Sequence, residues 1–246
     1  MKTNFFQTLK IIIQSVYSTL KLCISTLYHG HKGPLSPEWV DEHIQAWVKE
    51  ILGVVKAKIH VINPQNVQPQ HAQATLLMCN HASLYDIPIT YAAFPNVSIR
   101  MLAKKEMKKI PFMGRSMTLG GFPFIDRHNR QQAIQDMHKV REMLANDIVM
   151  WIAPEGTRSR TGYLGNFKKG GFITAIQAQA MIIPIVIRGA NEILPAKTLK
   201  FSLDQEIHVI IGQPIDASQY AIEQKEELIA LVQNTMQNML DEPIKL

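Results

Sequence analysis

From residue 58 onward, short continuous apolar runs alternate with longer segments whose apolar residues recur at helical spacing. The short runs, rich in isoleucine, valine and phenylalanine, predict buried strands, and the longer segments predict helices. Strands that alternate with helices fold as an α/β structure with a largely parallel sheet flanked by helices. The predicted strands cover residues 59–62, 76–79, 97–102, 122–125, 148–152, 182–187 and 207–211. The predicted helices cover residues 87–94, 130–146, 171–180 and 222–240.

The beginning of the chain is a basic and apolar segment with no acidic residue before Glu38. At about 100° per residue, Lys10 and Lys21 fall on one polar stripe of a helix, and a wide apolar arc covers the rest. The lysines favour an amphipathic helix lying in a membrane interface over a transmembrane span. The alternative is a helix packed on the protein's own core. The arc is formed by Phe5, Phe6, Leu9, Ile12, Ile13, Val16, Leu20, Ile24 and Leu27.

A second amphipathic helix is predicted over residues 38–55, after a turn at residues 33–37 that contains a glycine and two prolines. Residues 1–56 are therefore expected to form a two-helix membrane-docking segment, followed by an α/β domain over residues 57–246. A net charge of +6 favours an anionic partner such as a membrane surface. Cys23 and Cys79 match no metal-binding spacing, so both are expected to be reduced and buried, which fits the cytoplasmic face of a membrane.

The most informative polar stretch is Asn80–Asp86, directly after the apolar run that ends at Cys79. A histidine and an aspartate five positions apart lie about 140° apart on a regular helix, so His81 and Asp86 meet only if His81 precedes the helix. We expect a helix that starts near Leu84 with Ser83 as its N-cap. Asp86 would then orient the His81 ring, which would act as a general base. A purely structural capping arrangement is the alternative.

Two further polar motifs follow predicted strands, where ligands collect in α/β sheets. They are Asp126-Arg127 and the stretch Pro154–Ser159. Together with Lys104 and Lys105 they predict a phosphate-binding pocket. The structural alternatives are a surface salt bridge between Asp126 and Arg127 and an ordinary turn at Pro154–Ser159.

In these motifs the chain resembles the glycerolipid acyltransferases typified by 1-acylglycerol-3-phosphate acyltransferase. The signature NHxxxxD matches Asn80–Asp86, and FPEGTRS matches residues 153–159 with Ala153 in place of phenylalanine. A second block runs from Lys104 through Pro111 and Gly114 to Arg127, and a fourth is the strand around Pro184. The motifs occur in the family's order over residues 75–190.

The resemblance implies acyl transfer from acyl-CoA or acyl carrier protein to the sn-2 hydroxyl of lysophosphatidic acid, giving phosphatidic acid for phospholipid biosynthesis. It makes His81 the base and Asp86 its orienting partner, with no metal and no cofactor other than the acyl carrier. Lys168 and Pro184 are expected to contact the acyl donor or its chain. The residues expected to bind the phosphate and glycerol of the acceptor are Lys104, Lys105, Arg127, Glu155, Gly156, Thr157 and Arg158.

Several alternatives remain open on sequence grounds. The acceptor could be another lysophospholipid or lipid, or the chain could be a non-catalytic basic module that docks on lipid. A covalent route through Ser83 or Cys79 is disfavoured, because the first is expected to cap a helix and the second to lie in the core. Residues 114–118 miss the GxSxG elbow of hydrolases at the last position. Nucleic acid is not expected as a partner, because basic residues are not interleaved with stacking aromatics.

Overall fold

The structure is a computed structural model that describes residues 1–243. In chain order its elements are α1 (Phe5–Lys32), α2 (Pro37–Val55), β1 (Lys58–Ile62), β2 (Thr75–Cys79), α3 (Asp86–Ala93), β3 (Ile99–Met101), β4 (Ala103–Lys104), α4 (Met113–Leu119), β5 (Phe124–Ile125), α5 (Arg130–Leu144), β6 (Val149–Ile152), α6 (Lys169–Gln177), β7 (Met181–Arg188), α7 (Ala190–Ile193), β8 (Glu206–Ile211), β9 (Ile215–Asp216) and α8 (Lys225–Asp241). Short 3-10 helices cover Lys105–Lys109, Ala217–Gln219 and Ile222–Gln224.

The main sheet has the strand order β1-β8-β7-β2-β6-β3, with β9 beside β7. Strand β2 lies in the middle and pairs in parallel with both β7 and β6. Strands β8 and β9 run antiparallel to β7. The predicted α/β class with a largely parallel sheet is confirmed. Because β2, β6 and β7 are parallel, their carboxyl ends meet at one edge, where the polar motifs follow β2 and β6.

The predicted strand over residues 122–125 was too long, and it lies outside the main sheet. Only Phe124 and Ile125 form β5, and β5 pairs with β4 in a separate two-stranded sheet. Pro123 has no N–H and contributes only its carbonyl, which accepts from the Ala103 amide at 2.9 Å. The predicted strand over residues 97–102 is likewise shorter, since the chain leaves β6 after Leu102 to make this second pairing.

Helix α2 has one apolar face, and that face is part of the core. Ser36 accepts the Trp39 amide as the N-cap, and Pro37 occupies the first helical position. The expected division between residues 56 and 57 falls between α2 and β1, but α2 shares one hydrophobic core with the sheet. The α2 residues buried in that core are Val40, Ile44, Val48, Ile51, Leu52 and Val55.

Helix α1 contacts the body through a narrow face on which Ile11 joins the main core and the other buried residues, Ser18, Cys23 and Thr26, are small or polar. Ser18 donates to the Glu50 carboxylate at 2.5 Å, and the Trp47 indole N–H donates to Thr19 Oγ1 at 3.1 Å. Most of the predicted apolar arc points away from the body: Phe5, Phe6, Leu9, Ile13, Val16, Leu20 and Ile24 are exposed. Ile12 and Leu27 are half-buried, and Ile12 packs against the core. The alternative in which the arc packs on the protein's own core is therefore wrong for all but the edge of the arc.

Candidate active site

The catalytic stretch leaves the sheet at the end of β2 through a buried asparagine. Asn80 Oδ1 accepts from the Ile187 amide at 2.8 Å, and Asn80 Nδ2 donates to the Ile187 carbonyl at 3.0 Å. The side chain therefore continues the hydrogen bonding between β2 and β7 while the main chain turns away. A side-chain amide carries both a donor and an acceptor, so it can replace the backbone N–H and C=O that the next strand residue would have supplied. This explains the asparagine at the turn after Cys79.

His81 and Asp86 meet as the spacing predicts. The His81 Nδ1–H donates to Asp86 Oδ2 at 2.8 Å, and the same oxygen accepts the amides of Ala82 at 2.7 Å and Ser83 at 2.8 Å. The Asp86 side chain is 1% exposed and that of His81 is 16% exposed. Because Asp86 holds the hydrogen of Nδ1, Nε2 is the basic nitrogen of the neutral ring.

The expected helix start and cap were wrong in detail. Helix α3 starts at Asp86 instead of near Leu84, and Ser83 is not its N-cap. The Asp86 carboxylate accepts the amides that precede the helix, and the Ser83 hydroxyl instead donates to the Leu194 carbonyl at 2.9 Å. The aspartate therefore both orients the histidine and closes the tight turn before α3.

Trp151 in β6 also contacts the dyad. Its ring lies edge-on to the His81 ring, with 5.6 Å between the centroids and 82° between the planes. The Trp151 indole N–H donates to Thr90 Oγ1 at 3.2 Å, and the Thr90 hydroxyl donates to the Asp86 carbonyl at 2.8 Å. Sequence reasoning missed Trp151, because an aromatic residue in a buried strand is indistinguishable there from an ordinary core residue.

Glu155 is a buried carboxylate that ties the third motif to the first. Glu155 Oε1 accepts the His81 amide at 3.0 Å, and Oε2 accepts the Gly165 amide at 2.8 Å. In return, the Ser159 amide donates to the His81 carbonyl at 2.6 Å. Burial raises the pKa of Glu155, and the two amide hydrogen bonds only partly oppose this effect. Both oxygens serve the protein itself, so this geometry favours a positioning role over the expected contact with the acceptor.

Cationic side chains line the edge of the site, and two of them are already engaged. The Arg127 guanidinium donates to the Gly156 carbonyl, and Lys105 forms an ion pair with Asp126 at 2.8 Å. The hydrogen bond between Lys105 and Asp126 lowers the pKa of Asp126 and raises that of Lys105. The alternative salt bridge between Asp126 and Arg127 is wrong, because Lys105 takes the place of Arg127.

Three predicted residues at this edge are unengaged. Within residues 1–243, the side chains of Lys104, Thr157 and Arg158 form no ion pair or hydrogen bond. Lys104 and Thr157 are exposed and Arg158 is half-buried. Gly156 adopts a φ of 72°, which turns the chain so that its carbonyl reaches Arg127.

The two residues expected to contact the acyl donor lie in different environments. Lys168 is exposed at the N-terminal end of α6, and its amide donates to the Pro154 carbonyl at 2.8 Å. Pro184 is buried within β7, where a Cβ on Gly212 would lie 2.9 Å from its ring. The structure therefore brings Lys168 to the edge of the site and leaves Pro184 in the core.

The residues considered for a covalent route are enclosed. Cys79 is fully buried and its thiol has a pKa raised well above the usual value by burial, while Ser83 is 0% exposed. Ser116 of the hydrolase-like stretch is buried in α4, beside Cys23. The amides of His81, Ala82 and Ser83 already donate to carboxylates, so they are not free to stabilise an oxyanion.

Comparison with known proteins identifies a family and relatives for this chain. The acyltransferase family model matches residues 58–188. The chain is 30% identical over 213 residues to the 1-acyl-sn-glycerol-3-phosphate acyltransferase of Saccharomyces cerevisiae, covering 82% of this chain and 68% of that protein. It is 29% identical to the Escherichia coli protein of the same name, covering 95% of this chain and 92% of that one.

A solved structure has the same fold along the chain. It is the 1-acyl-sn-glycerophosphate acyltransferase PlsC of Thermotoga maritima, with a TM-score of 0.77, 21% identity and 98% coverage of both chains. The family model spans the strands and loops that carry the His81–Asp86 pair, Arg127 and the Glu155–Arg158 turn. The chain therefore belongs to the acyltransferase family and is an acyltransferase.

Proposed function

We propose that this enzyme transfers an acyl group from a thioester carrier to the sn-2 hydroxyl of lysophosphatidic acid and thereby makes phosphatidic acid. The observation that carries the proposal is the His81–Asp86 pair, with its buried carboxylate and partly exposed ring, beside a cationic edge. The names of the yeast and E. coli relatives support the same acceptor. The unengaged cations at this edge suit an acceptor that carries a phosphate.

His81 Nε2 takes the proton of the acceptor hydroxyl as its oxygen attacks the thioester carbonyl. The C–O bond forms, the C–S bond breaks, and the proton held by His81 is available to the departing thiolate. Asp86 stabilises the imidazolium, because its Oδ2 accepts from Nδ1 and cannot turn away while two amides also hold it. Glu155 fixes the backbone of His81 from the other side. No metal or cofactor takes part in the proposed step.

The acceptor phosphate is proposed to bind Arg158 and Lys104, which have no partner among the described side chains, with Arg127 as a third cation. Guanidinium groups suit a phosphate because they donate two parallel hydrogen bonds. Lys105 contributes less positive charge to the phosphate site, because it forms an ion pair with Asp126. Thr157 supplies its hydroxyl at the glycerol, whereas the Gly156 amide donates to Ala153 and the Gly156 carbonyl accepts from Arg127. Lys168 lies next to Gly156, where it adds positive charge for a phosphorylated acyl carrier.

We propose that the acyl chain enters an apolar cavity that is lined by Ile87, the residue after Asp86. The cavity lies between α1, α2, α3 and α4, and its lining is almost entirely apolar. Because a lipid chain gains about 0.8 kcal/mol for each methylene removed from water, such a cavity favours an acyl group over a polar one. Its lining includes Trp47, Tyr91, Met101, Met117 and Phe122.

The enzyme is further proposed to dock on the cytoplasmic face of the membrane through α1. This helix has the length and composition to cross a bilayer, but its inward face packs on the body and Lys21 pairs with Glu50 of α2. That arrangement favours a helix lying in the interface with the arc among the acyl chains. Leu84, between the two catalytic residues, is 54% exposed and would face the same lipid phase.

The test is acyl transfer by the purified enzyme in liposomes, with lysophosphatidic acid and oleoyl-CoA or oleoyl acyl carrier protein as substrates. We expect release of free thiol and formation of phosphatidic acid. Lysophosphatidylcholine and lysophosphatidylethanolamine serve as competing acceptors, and a higher kcat/KM for either assigns the acceptor to another lysophospholipid. If no acceptor is acylated although the protein is folded and bound to lipid, a non-catalytic docking module is the correct description.

A further inference from the structure

A second apolar surface lies at the tip between the 3-10 helix Lys105–Lys109 and α4, and we name Ile110–Phe112 the 110–112 tip. Ile110 is 46% exposed and Phe112 is 56% exposed, and Pro111 between them is also exposed. Neither side chain serves the dyad or the cationic edge of the site. Large apolar side chains placed together at a projecting turn are a feature of surfaces that bind lipid or protein.

The backbone holds this tip rigidly. The Met113 amide donates to the Pro111 carbonyl at 2.7 Å, and the Gly114 amide donates to the Ile110 carbonyl at 3.0 Å. Phe112 has a φ of 63°, which a residue with a side chain rarely adopts. Gly114 lies so close to the 3-10 helix that a Cβ would be 2.1 Å from the Lys108 carbonyl oxygen. The exposure of Phe112 is therefore built into a fixed turn.

The tip lies near the middle of α1. Helix α4 packs along α1: Ser116 contacts Cys23, and a Cβ on Gly30 would lie 2.8 Å from Leu119. Met113, at the beginning of α4, borders the same cavity as Thr19. The start of α4, and with it the 110–112 tip, is therefore beside the middle of α1. Val16 and Leu20 are exposed on that part of α1.

Basic residues flank the tip on both sides in the sequence. The only acidic residue between positions 104 and 115 is Glu106. Lys109 and Arg115 are exposed, and Lys108 lies over the Phe124 ring with its Nζ 4.8 Å from the centroid. An apolar tip with cations around it matches a bilayer with anionic head groups, because the side chains enter the acyl region while the cations stay at the phosphates. The basic residues in this stretch are Lys104, Lys105, Lys108, Lys109 and Arg115.

We infer that the 110–112 tip inserts into an anionic bilayer as a second anchor beside α1. The inference rests on the proposed docking of α1. It adds a second membrane contact on the part of the chain that leads to the active site. The tip is connected through the 3-10 helix to Lys104 at the end of β4, next to Arg127 after β5. Insertion therefore holds the cationic edge of the active site at the level of the lipid phosphates, where the acceptor presents its own phosphate.

The experiment uses an environment-sensitive fluorophore on single introduced cysteines. Cys23 and Cys79 are buried, so F112C, I13C and I134C each supply the accessible thiol of the full-length protein. Residue 13 reports on α1, residue 112 reports on the tip, and residue 134 is an exposed isoleucine of α5 that serves as the control. Each labelled protein is mixed with vesicles of equimolar phosphatidylglycerol and phosphatidylcholine.

We expect a blue shift and an intensity increase at positions 13 and 112 and neither at position 134. If position 13 responds and position 112 behaves like position 134, α1 docks and the second anchor is refuted. If neither responds, the docking of α1 fails as well, and the inference fails with it. A response at 112 to added protein but not to vesicles would identify a protein contact and also refute the lipid assignment.

The charge requirement is tested with K108Q/K109Q against the matched variant K139Q/K225Q, which removes the same charge from α5 and α8. Each lysine near an anionic surface contributes about 1 kcal/mol, so loss of two should make the first variant bind phosphatidylglycerol vesicles roughly 30-fold more weakly than the second. Equal binding by the two variants would refute the role of the basic surroundings.

Discussion

At the scale of single residues, one carboxylate oxygen explains most of the catalytic geometry. Asp86 Oδ2 accepts three N–H groups, from the His81 ring and the amides of Ala82 and Ser83. The two amides keep the oxygen in place, and the ring hydrogen bond then sets which nitrogen of His81 is basic. Orientation of the base is therefore enforced by the turn that precedes α3, not by the side chain of Asp86 alone.

His81→Ala removes the base and leaves the carboxylate in its turn. General-base help contributes about 10²–10⁴-fold, so we expect kcat to fall by that factor with KM for lysophosphatidic acid nearly unchanged. Initial rates of thiol release across acceptor concentrations measure both constants. Full activity of His81→Ala, with the phosphatidic acid product verified, would refute the assignment of the base.

Ser83→Ala is the matched test of the covalent route, because Ser83 lies two positions from the base. Its hydroxyl donates to the Leu194 carbonyl, so the variant leaves a buried acceptor unpaired at a cost of about 1–3 kcal/mol in the free energy of unfolding. We expect lower thermal stability but retained kcat. A folded Ser83→Ala protein without activity would instead support Ser83 as a nucleophile in a covalent route.

Glu155 makes stability depend on pH in a defined direction. Its pKa is raised by burial, so the native protein binds this proton more tightly than the unfolded chain does. Between the usual value of 4.5 and the raised native value, stability therefore falls as pH rises. Glu155→Gln cannot titrate, so the melting temperature of the wild type should decrease relative to that of the variant across this range. Parallel curves for the two proteins from pH 4.5 upward would contradict the raised pKa.

The contact between His81 and Asp86 was predictable because the five-residue spacing and the preceding apolar run are local signals, whereas its catalytic role was implied by the resemblance to the acyltransferase family. The partners of Glu155 were not predictable, since they lie at residues 81 and 165 and meet only when β2 and β6 pair. Trp151 was missed because an aromatic residue in a buried strand has the same pattern as an ordinary core residue. Lys105 was assigned to the phosphate because charge is visible in the sequence, whereas its pairing with Asp126 depends on the unpredicted contact of β4 with β5.

At the scale of elements, α1 is arranged with its apolar side outward. Its contacts with α2 include two hydrogen bonds, from Ser18 to Glu50 and from Trp47 to Thr19, while the aliphatic arc is exposed. The helical period was enough to predict the arc, but period alone cannot tell whether the arc faces lipid or the sheet. The second pairing of β4 with β5 could not be predicted, because strands of two residues carry almost no periodic signal.

The double variant Ile13→Asp/Leu20→Asp tests the apolar arc while the helix stays in place. Deletion of residues 1–31 would also remove the contacts of α1 with α2 and α4. Each side chain contributes about 1.5–3 kcal/mol when it leaves water, so we expect the fraction that sediments with vesicles to fall sharply. The melting temperature should change little because both residues are exposed. Ile134→Asp/Leu231→Asp on α5 and α8 is the matched control. Equal sedimentation of the two double variants would contradict docking through α1.

At the scale of the whole molecule, the sheet order places β2 between β7 and β6, so the catalytic turn emerges near the centre of one sheet edge. The arc of α1 and the basic stretch from Lys104 to Arg115 lie on elements that pack together through α4. The net charge of +6 is thus combined with an outward apolar helix, which is the combination that binds an anionic interface.

This combination predicts how salt acts on the enzyme. Electrostatic attraction to phosphatidylglycerol is screened as the Debye length falls from about 10 Å at 0.1 M to about 3 Å at 1 M ionic strength, whereas burial of the apolar arc is not screened. We expect high salt to weaken sedimentation with phosphatidylglycerol vesicles and to leave the weaker binding to phosphatidylcholine vesicles unchanged. Salt-independent binding to both vesicles would mean that the apolar arc acts alone. Acyl transfer to vesicle-embedded lysophosphatidic acid should follow the bound fraction, since the acceptor reaches His81 only when the active-site edge lies at the lipid surface.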